Sequence, residues 1–340
     1  MTARPTNVSV TAPITPAIER VKALLFQPFD LGRWFVIAFG AWLAGLGRRG
    51  FGFNYQARLP GGHTHPEAGP DFHALFEHAR SYVMNNLTWI IPLAIALAIF
   101  LVALGVVMAW LRARGNFIFL HCVALNRAEV AVPWNKFARQ GNSLFLFNLV
   151  LGFVWILASM PVLILMVLTL TRIMHQSQPA PRILLALLPL GLMLLSIGMV
   201  FFIIGKLTID FVVPIMFLRG SKCRVAWTEF LRLLADNLGR VLLYLLFQIV
   251  VALAIAFLVL AAVIITCCCA GCLMLIPYLG TVLLLPMHVF RRSYSLGYLA
   301  QYGPDFNVFP PPVPLQSPVA APSQPPGAAL PPRGPLDDVW

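Results

Sequence analysis

Five apolar runs constrain this chain more than any other feature. They extend from about Leu87 to Leu111, Leu144 to Thr171, Ile183 to Gly205, Val241 to Ile265 and Leu273 to Phe290, and none has an Asp, Glu, Lys or Arg in its interior. About 20 apolar residues suffice to cross the roughly 30 Å hydrocarbon core of a bilayer. In lipid every backbone polar group has to be paired within the segment itself, so such runs are helices, not strands. The last run is the shortest, and it lengthens if the stretch from Cys267 to Cys272 is added. A sixth run, Leu31 to Leu46, is short and has Arg33 near its start. The stem of Arg33 lets its head reach the headgroups. A signal peptide is the competing reading of this run, but the long amphipathic stretch before it makes a poor leader.

Composition agrees. The chain is 59% hydrophobic and 11% charged, whereas about a quarter of a soluble domain is charged. The fold class expected is all-α integral membrane. About six transmembrane helices (31–46, 87–111, 144–171, 183–205, 241–265 and 273–290) lie within a domain spanning 31–308. An N-terminal arm, 1–30, carries an amphipathic helix. The Pro-, Ala- and Ser-rich segment 309–340 is expected to be a disordered tail. Its Pro310-Pro311-Pro312-Val313-Pro314 stretch suits a proline-recognition module, with a plain solvated tail as the simpler reading.

Alternate connections differ sharply in basic residues. The arm, the second loop, the fourth loop and the tail hold eighteen Lys and Arg between them, and the remaining loops hold six. The positive side is the cytoplasmic side, so both termini are expected in the cytoplasm. The net charge of +12 is therefore topogenic. It is spread over loops and lacks the basic, aromatic-lined surface of a nucleic-acid binder.

A spacing recurs. Trp134, Phe137, Ala138, Gly141 and Phe145 repeat as Trp227, Phe230, Leu231, Leu234 and Leu238, and more weakly as Ile18, Val21, Lys22, Leu25 and Phe29. Each set falls on one helical face. In the later full copy Glu229, Arg232, Asp236 and Arg240 take the other face. This predicts cytoplasmic amphipathic helices lying in the membrane interface, anchored by Trp134, Trp227, Phe137 and Phe230. Both full copies follow one span and precede another in the same sense, so the duplication is parallel.

Candidate chemistry is sparse. Asp210 follows Lys206 by four residues, which puts both on one helix face, and an ionisable group at membrane depth is a candidate site. A structural ion pair is the simpler reading. Asn116 and Asn142 are the other polar groups near the same membrane face, and a ligand or enzyme site would need them to converge with Asp210. Cys269 and Cys272 form one C-x-x-C without a second pair or a nearby His, so helix packing, a disulfide and metal binding all remain open. His63 and His65 are a weak metal pair in a Gly- and Pro-rich loop. No phosphate-binding loop, nucleophile elbow or zinc-protease motif occurs, and no cofactor is implied.

The stretch Leu25-Phe26-Gln27-Pro28-Phe29-Asp30-Leu31-Gly32-Arg33-Trp34-Phe35 resembles the opening of an uncharacterised family of bacterial multi-pass membrane proteins. So do Gly50-Phe51-Gly52-Phe53-Asn54-Tyr55, the Asp210 to Met216 stretch, Arg292-Ser293-Tyr294-Ser295-Leu296 and Gly303-Pro304-Asp305-Phe306. More distantly, the layout is similar to the membrane domain attached to some glycerophosphodiester phosphodiesterases, without their catalytic barrel. The resemblance implies a bacterial inner-membrane location and transfers no site residue. The expected function is non-catalytic: membrane organisation, partner support or an accessory part in transport. The expected partners are membrane lipids, with a protein partner or a second copy. A transporter or channel for a small or lipid-like solute, and an enzyme with a cytoplasmic-side site, are the alternatives.

Overall fold

The computed structural model describes residues 8–46, 81, 86–175, 180–266, 271, 274 and 276–309. Contacts divide the chain into two units, Met1–Val308 and Phe309–Trp340, and the elements named here belong to the first. Among the described residues every regular element is helical. In chain order these are α1 (Ile14–Leu25), α2 (Leu31–Gly45), α3 (Leu87–Leu125), α4 (Ala131–Lys136), α5 (Ala138–His175) and α6 (Ala180–Leu207). A π-helical turn, Thr208–Val212, carries α6 straight into α7 (Val213–Arg219), followed by α8 (Cys223–Asp236), α9 (Leu238–Ile265), α10 (Pro277–Leu283) and α11 (Leu285–Ala300).

Four helical stretches are long and apolar enough to cross a bilayer: Thr88–Leu125, Ala138–Ile173, Leu185–Arg219 and Leu238–Ile265. The run beginning at Leu31 is α2, with 15 residues. At 1.5 Å per residue that is about 22 Å, less than the hydrocarbon core. The last predicted run is described only in part, as α10 and the start of α11, which meet at Leu284.

The long helices exceed what a bilayer needs, and the excess is where the protein packs. The 39 residues of α3 reach about 58 Å, nearly twice the hydrocarbon thickness. Near its start Trp89 and Leu93 are 83% and 69% exposed, whereas Phe117, Ile118 and Leu120 near its end are at most 1% exposed. The same asymmetry marks α9, where Ile265 is 81% exposed and Tyr244 is fully buried. A folded hub therefore forms at one end of the long helices. Their other halves offer apolar side chains outward, a surface that water penalises at about 25 cal/mol per Å² and lipid does not.

Aromatic rings fill the hub. Phe137 stacks on Phe117 and Phe217, with centroids 5.8 and 4.8 Å apart. Phe211 packs against Phe230 and Tyr244, at 5.1 and 5.0 Å. Phe137 and Phe230 are thus 6% and 0% exposed, and the inner faces of their segments meet protein rather than lipid. The reason is that the packed ends of the long helices supply a protein wall, Phe117, Phe217, Phe211 and Tyr244, for the amphipathic segments to cover. Trp134 and Trp227 sit half-buried at the hub margin, Trp134 against Trp110 and Trp227 against Phe147.

Helix ends are closed by side chains from distant segments. Asp30 caps α2 by accepting from the Gly32 N–H at 2.8 Å, the usual way a short acidic residue satisfies an orphan donor. α3 ends at Asn126, which takes a left-handed φ of 55°. Its last carbonyls would be left unpaired. Arg20 donates to the Val123 and Ala124 carbonyls, and Arg33 donates to Asn126. Arg33 is therefore used inside the protein. The N-terminal arm also clips onto α11: Ser9 and Gln301 exchange two hydrogen bonds of 2.8 and 3.0 Å, and the Tyr294 hydroxyl donates to the Val10 carbonyl.

Candidate functional site

The polar centre of the hub begins with a proline. Pro214 has no N–H to donate, and its ring crowds the carbonyl one turn earlier. The helix absorbs this by widening into the π turn. There the Val213 N–H reaches back to the Thr208 carbonyl, the i to i+5 register of a π-helix. The Ile209 carbonyl is the loser. Its ordinary partner, Val213, is taken, and the next residue along is Pro214.

Arg292 of α11 supplies the missing donor. Its Nη1 donates to the Ile209 carbonyl at 2.6 Å. Arg292 is only 6% exposed, and burial lowers its pKa to about 10, with the nearby Asp210 opposing the fall. It remains a cation at neutral pH.

The widened turn also aims Asp210 inward. Asp210 is buried, and its Oδ2 lies 2.5 Å from Lys206 Nζ. The same oxygen accepts from the Tyr244 hydroxyl at 2.9 Å, and Tyr244 accepts from Gln248 Nε2 at 2.9 Å. A chain of charge and hydrogen bonds thus links α6, the π turn and α9. Charges taken from water cost several kcal/mol each unless paired and bonded in this way. Two cations, Lys206 and Arg292, face one carboxylate, leaving a net positive centre.

The other polar residues singled out by sequence are engaged elsewhere. Asn116 is buried on α3 and donates to its own helix at the Arg112 carbonyl, 2.9 Å away. Asn142 is exposed and accepts from Trp110 Nε1 at 3.1 Å and Arg114 Nη2 at 3.4 Å. Arg114 lies between the Trp110 and Trp134 rings, 4.5 and 4.8 Å from their centroids. Lys206 and Asp210 are brought together, while Asn116 is bonded within α3 and Asn142 joins α5 to α3. His63, His65, Cys269 and Cys272 lie outside the described residues, as does nearly all of 309–340. Among the described residues no cluster of three His, Cys, Asp or Glu side chains is placed to hold a metal. Cys122 and Cys223 are buried free thiols, and burial pushes Cys223 up to about 12.

Sequence reading missed Tyr244, Gln248 and Arg292. Gln248 had a signal, being the one amide within an otherwise apolar α9 and four residues from Tyr244. Arg292 was counted as one positive charge beyond the last span and as the start of a stretch that carries the family resemblance, with no role of its own.

Long helices with lipid-suited outer halves, joined through a buried ionic centre at their packed ends, define a helical membrane protein. The chain belongs to a family of unknown function, DUF7544, whose model matches residues 8–299. That range includes every residue of the polar centre. No curated protein and no solved structure matches the chain.

Proposed function

We propose that this protein is a non-catalytic scaffold of the bacterial inner membrane, with six spans, both termini cytoplasmic and the hub on the cytoplasmic side as a platform for a partner. One observation carries this reading: the buried carboxylate that proton or ion transfer would require is already engaged. Asp210 is held by Lys206 and Tyr244. Within the outer halves Ser159, Thr169 and Ser196 each donate to a carbonyl of their own helix. The basic bias of the connections supports the orientation.

Two matched units support the parallel duplication. The Phe117–Phe137 stack on α3 corresponds to the Phe211–Phe230 stack, with interplanar angles of 13° and 20°. Nine residues beyond Phe117 and Phe211 the chain reaches positive φ, at Asn126 and Gly220. Tyr294 and Gly303 keep the same interval, and α11 packs against α1. This favours a third, permuted copy made from the two ends of the domain.

Reconstitution tests the scaffold reading. Proteoliposomes with an imposed potential and an internal pH dye are expected to leak protons no faster than empty liposomes. A flux that the wild type shows and Asp210→Asn lacks would replace the scaffold with the transporter. That second reading has its own support in a π turn and an ion pair at a membrane boundary, features common where function resides.

A further inference from the structure

We propose that Arg292 forms a binding site for an oxyanion of the phosphate type, gripped by the Nε and Nη2 edge of its guanidinium. The proposal does not depend on the scaffold reading, since a scaffold or a transporter could equally hold such a group.

The evidence is an incomplete set of hydrogen bonds. Arg292 carries five N–H donors. Nη1 is engaged by the Ile209 carbonyl. Nε and Nη2 are buried and have no hydrogen-bond partner. These two nitrogens point along one edge of the planar fork, the edge that takes two oxygens of a carboxylate or phosphate at once. Buried donors in native proteins are almost always satisfied, so an orphaned pair on a charged group marks a missing partner. The neighbouring carboxylate does not fill the role. Asp210 is occupied by Lys206 and Tyr244, and among the described residues Arg292 has no carboxylate at ion-pair distance.

Charge points the same way. One carboxylate between two cations leaves an excess positive charge in a place where charge is costly, and an anion would cancel it. Ser293, next in sequence, has a buried hydroxyl without a partner, and so does the Gln248 Oε1 atom. The first is a donor for an anionic oxygen. The second is an acceptor suited to a protonated phosphate oxygen or a water bound to it. The capping of Ile209 explains Nη1 but not the free edge, and this separates a binding role from a structural one.

Two sources supply such an oxyanion, the headgroup of an anionic phospholipid and free inorganic phosphate. The test uses the purified full chain in detergent and in nanodiscs. In detergent, inorganic phosphate is titrated against thermal unfolding, with sodium chloride at matched ionic strength as control. In nanodiscs, phosphatidylglycerol is compared with phosphatidylcholine, and lipid retained on the protein is read by native mass spectrometry. Arg292→Lys keeps the charge and a donor for Ile209 but removes the fork. Its binding is expected to weaken about tenfold or more, the loss of one charge-assisted hydrogen bond. Ser293→Ala, a milder change, is expected to weaken binding less and guards against misfolding of the first variant. Saturable stabilisation by phosphate that Arg292→Lys lacks establishes the soluble source. Arg292-dependent retention of phosphatidylglycerol establishes the lipid source. If neither ligand binds, or if Arg292→Lys binds as the wild type does, the site does not exist.

Discussion

Tyr244 holds a single hydroxyl between a carboxylate and an amide, and it does so in full burial. Removing that oxygen leaves Asp210 one donor short and Gln248 without its acceptor. Hydrogen bonds to charged groups contribute about 1.5–3 kcal/mol. Tyr244→Phe is therefore expected to destabilise the hub by about that much, seen as a lower unfolding midpoint in detergent with the helical signal of the folded state unchanged. Because the phenyl ring keeps its packing on Phe211 and Tyr298, an unchanged midpoint would mean that Asp210 is solvated by something other than Tyr244.

At the scale of elements, the contact of α2 with α3 depends on backbones approaching closely. A Cβ placed on Gly115 would lie 2.6 Å from the Ala44 nitrogen and 2.6 Å from the Leu43 carbonyl carbon. These are backbone atoms and cannot rotate away. Gly115→Ala is expected to push α2 off α3 and cost about 1–3 kcal/mol, the usual range for overpacking. Gly141→Ala is the control, since its Cβ would meet mainly the Arg114 side chain, at 3.0 Å. Only the Arg114 stem has to give way, by far less than a helix backbone would, so this variant should lose clearly less stability than Gly115→Ala, about 1 kcal/mol or under. Equal losses in the two variants would show that the α2–α3 contact is not the tight one. Small residues where membrane helices cross serve the same purpose elsewhere.

For the whole molecule the decisive measurement is topology. Reporter fusions after Gly141 and Ser221 are expected on the cytoplasmic side, and those after Gly62 and Thr266 on the opposite side. A cytoplasmic signal from Gly62 would remove α2 from the spans and leave the arm and α2 together at one face. The hub favours neither outcome by itself, because α2, about 22 Å long, is short enough to lie within the hub or to dip into lipid.

The apolar runs could be read directly from sequence because lipid imposes a simple rule, with length and lack of charge together naming a helix. The pairing of Lys206 with Asp210 was equally legible, as both partners sit on one helix four residues apart. The inner faces of the segments around Phe137 and Phe230 were also visible as periodicity. What they face was not, since an apolar stripe fits protein and lipid alike. Only the packing of Phe137 on Phe117 and Phe217, and of Phe230 on Phe211, decides for protein.

The polar centre divides along the same line. Pro214 inside a helical run already announces, from sequence alone, that a nearby carbonyl must lose its backbone donor. Which group answers is a tertiary matter. Arg292 stands 83 residues away, and neither charge nor spacing marks it, over Arg291 beside it, as the partner of the Ile209 carbonyl. The fold brings α11 against the π turn, and that approach turns a charge counted for topology into the buried guanidinium at the centre of the hub.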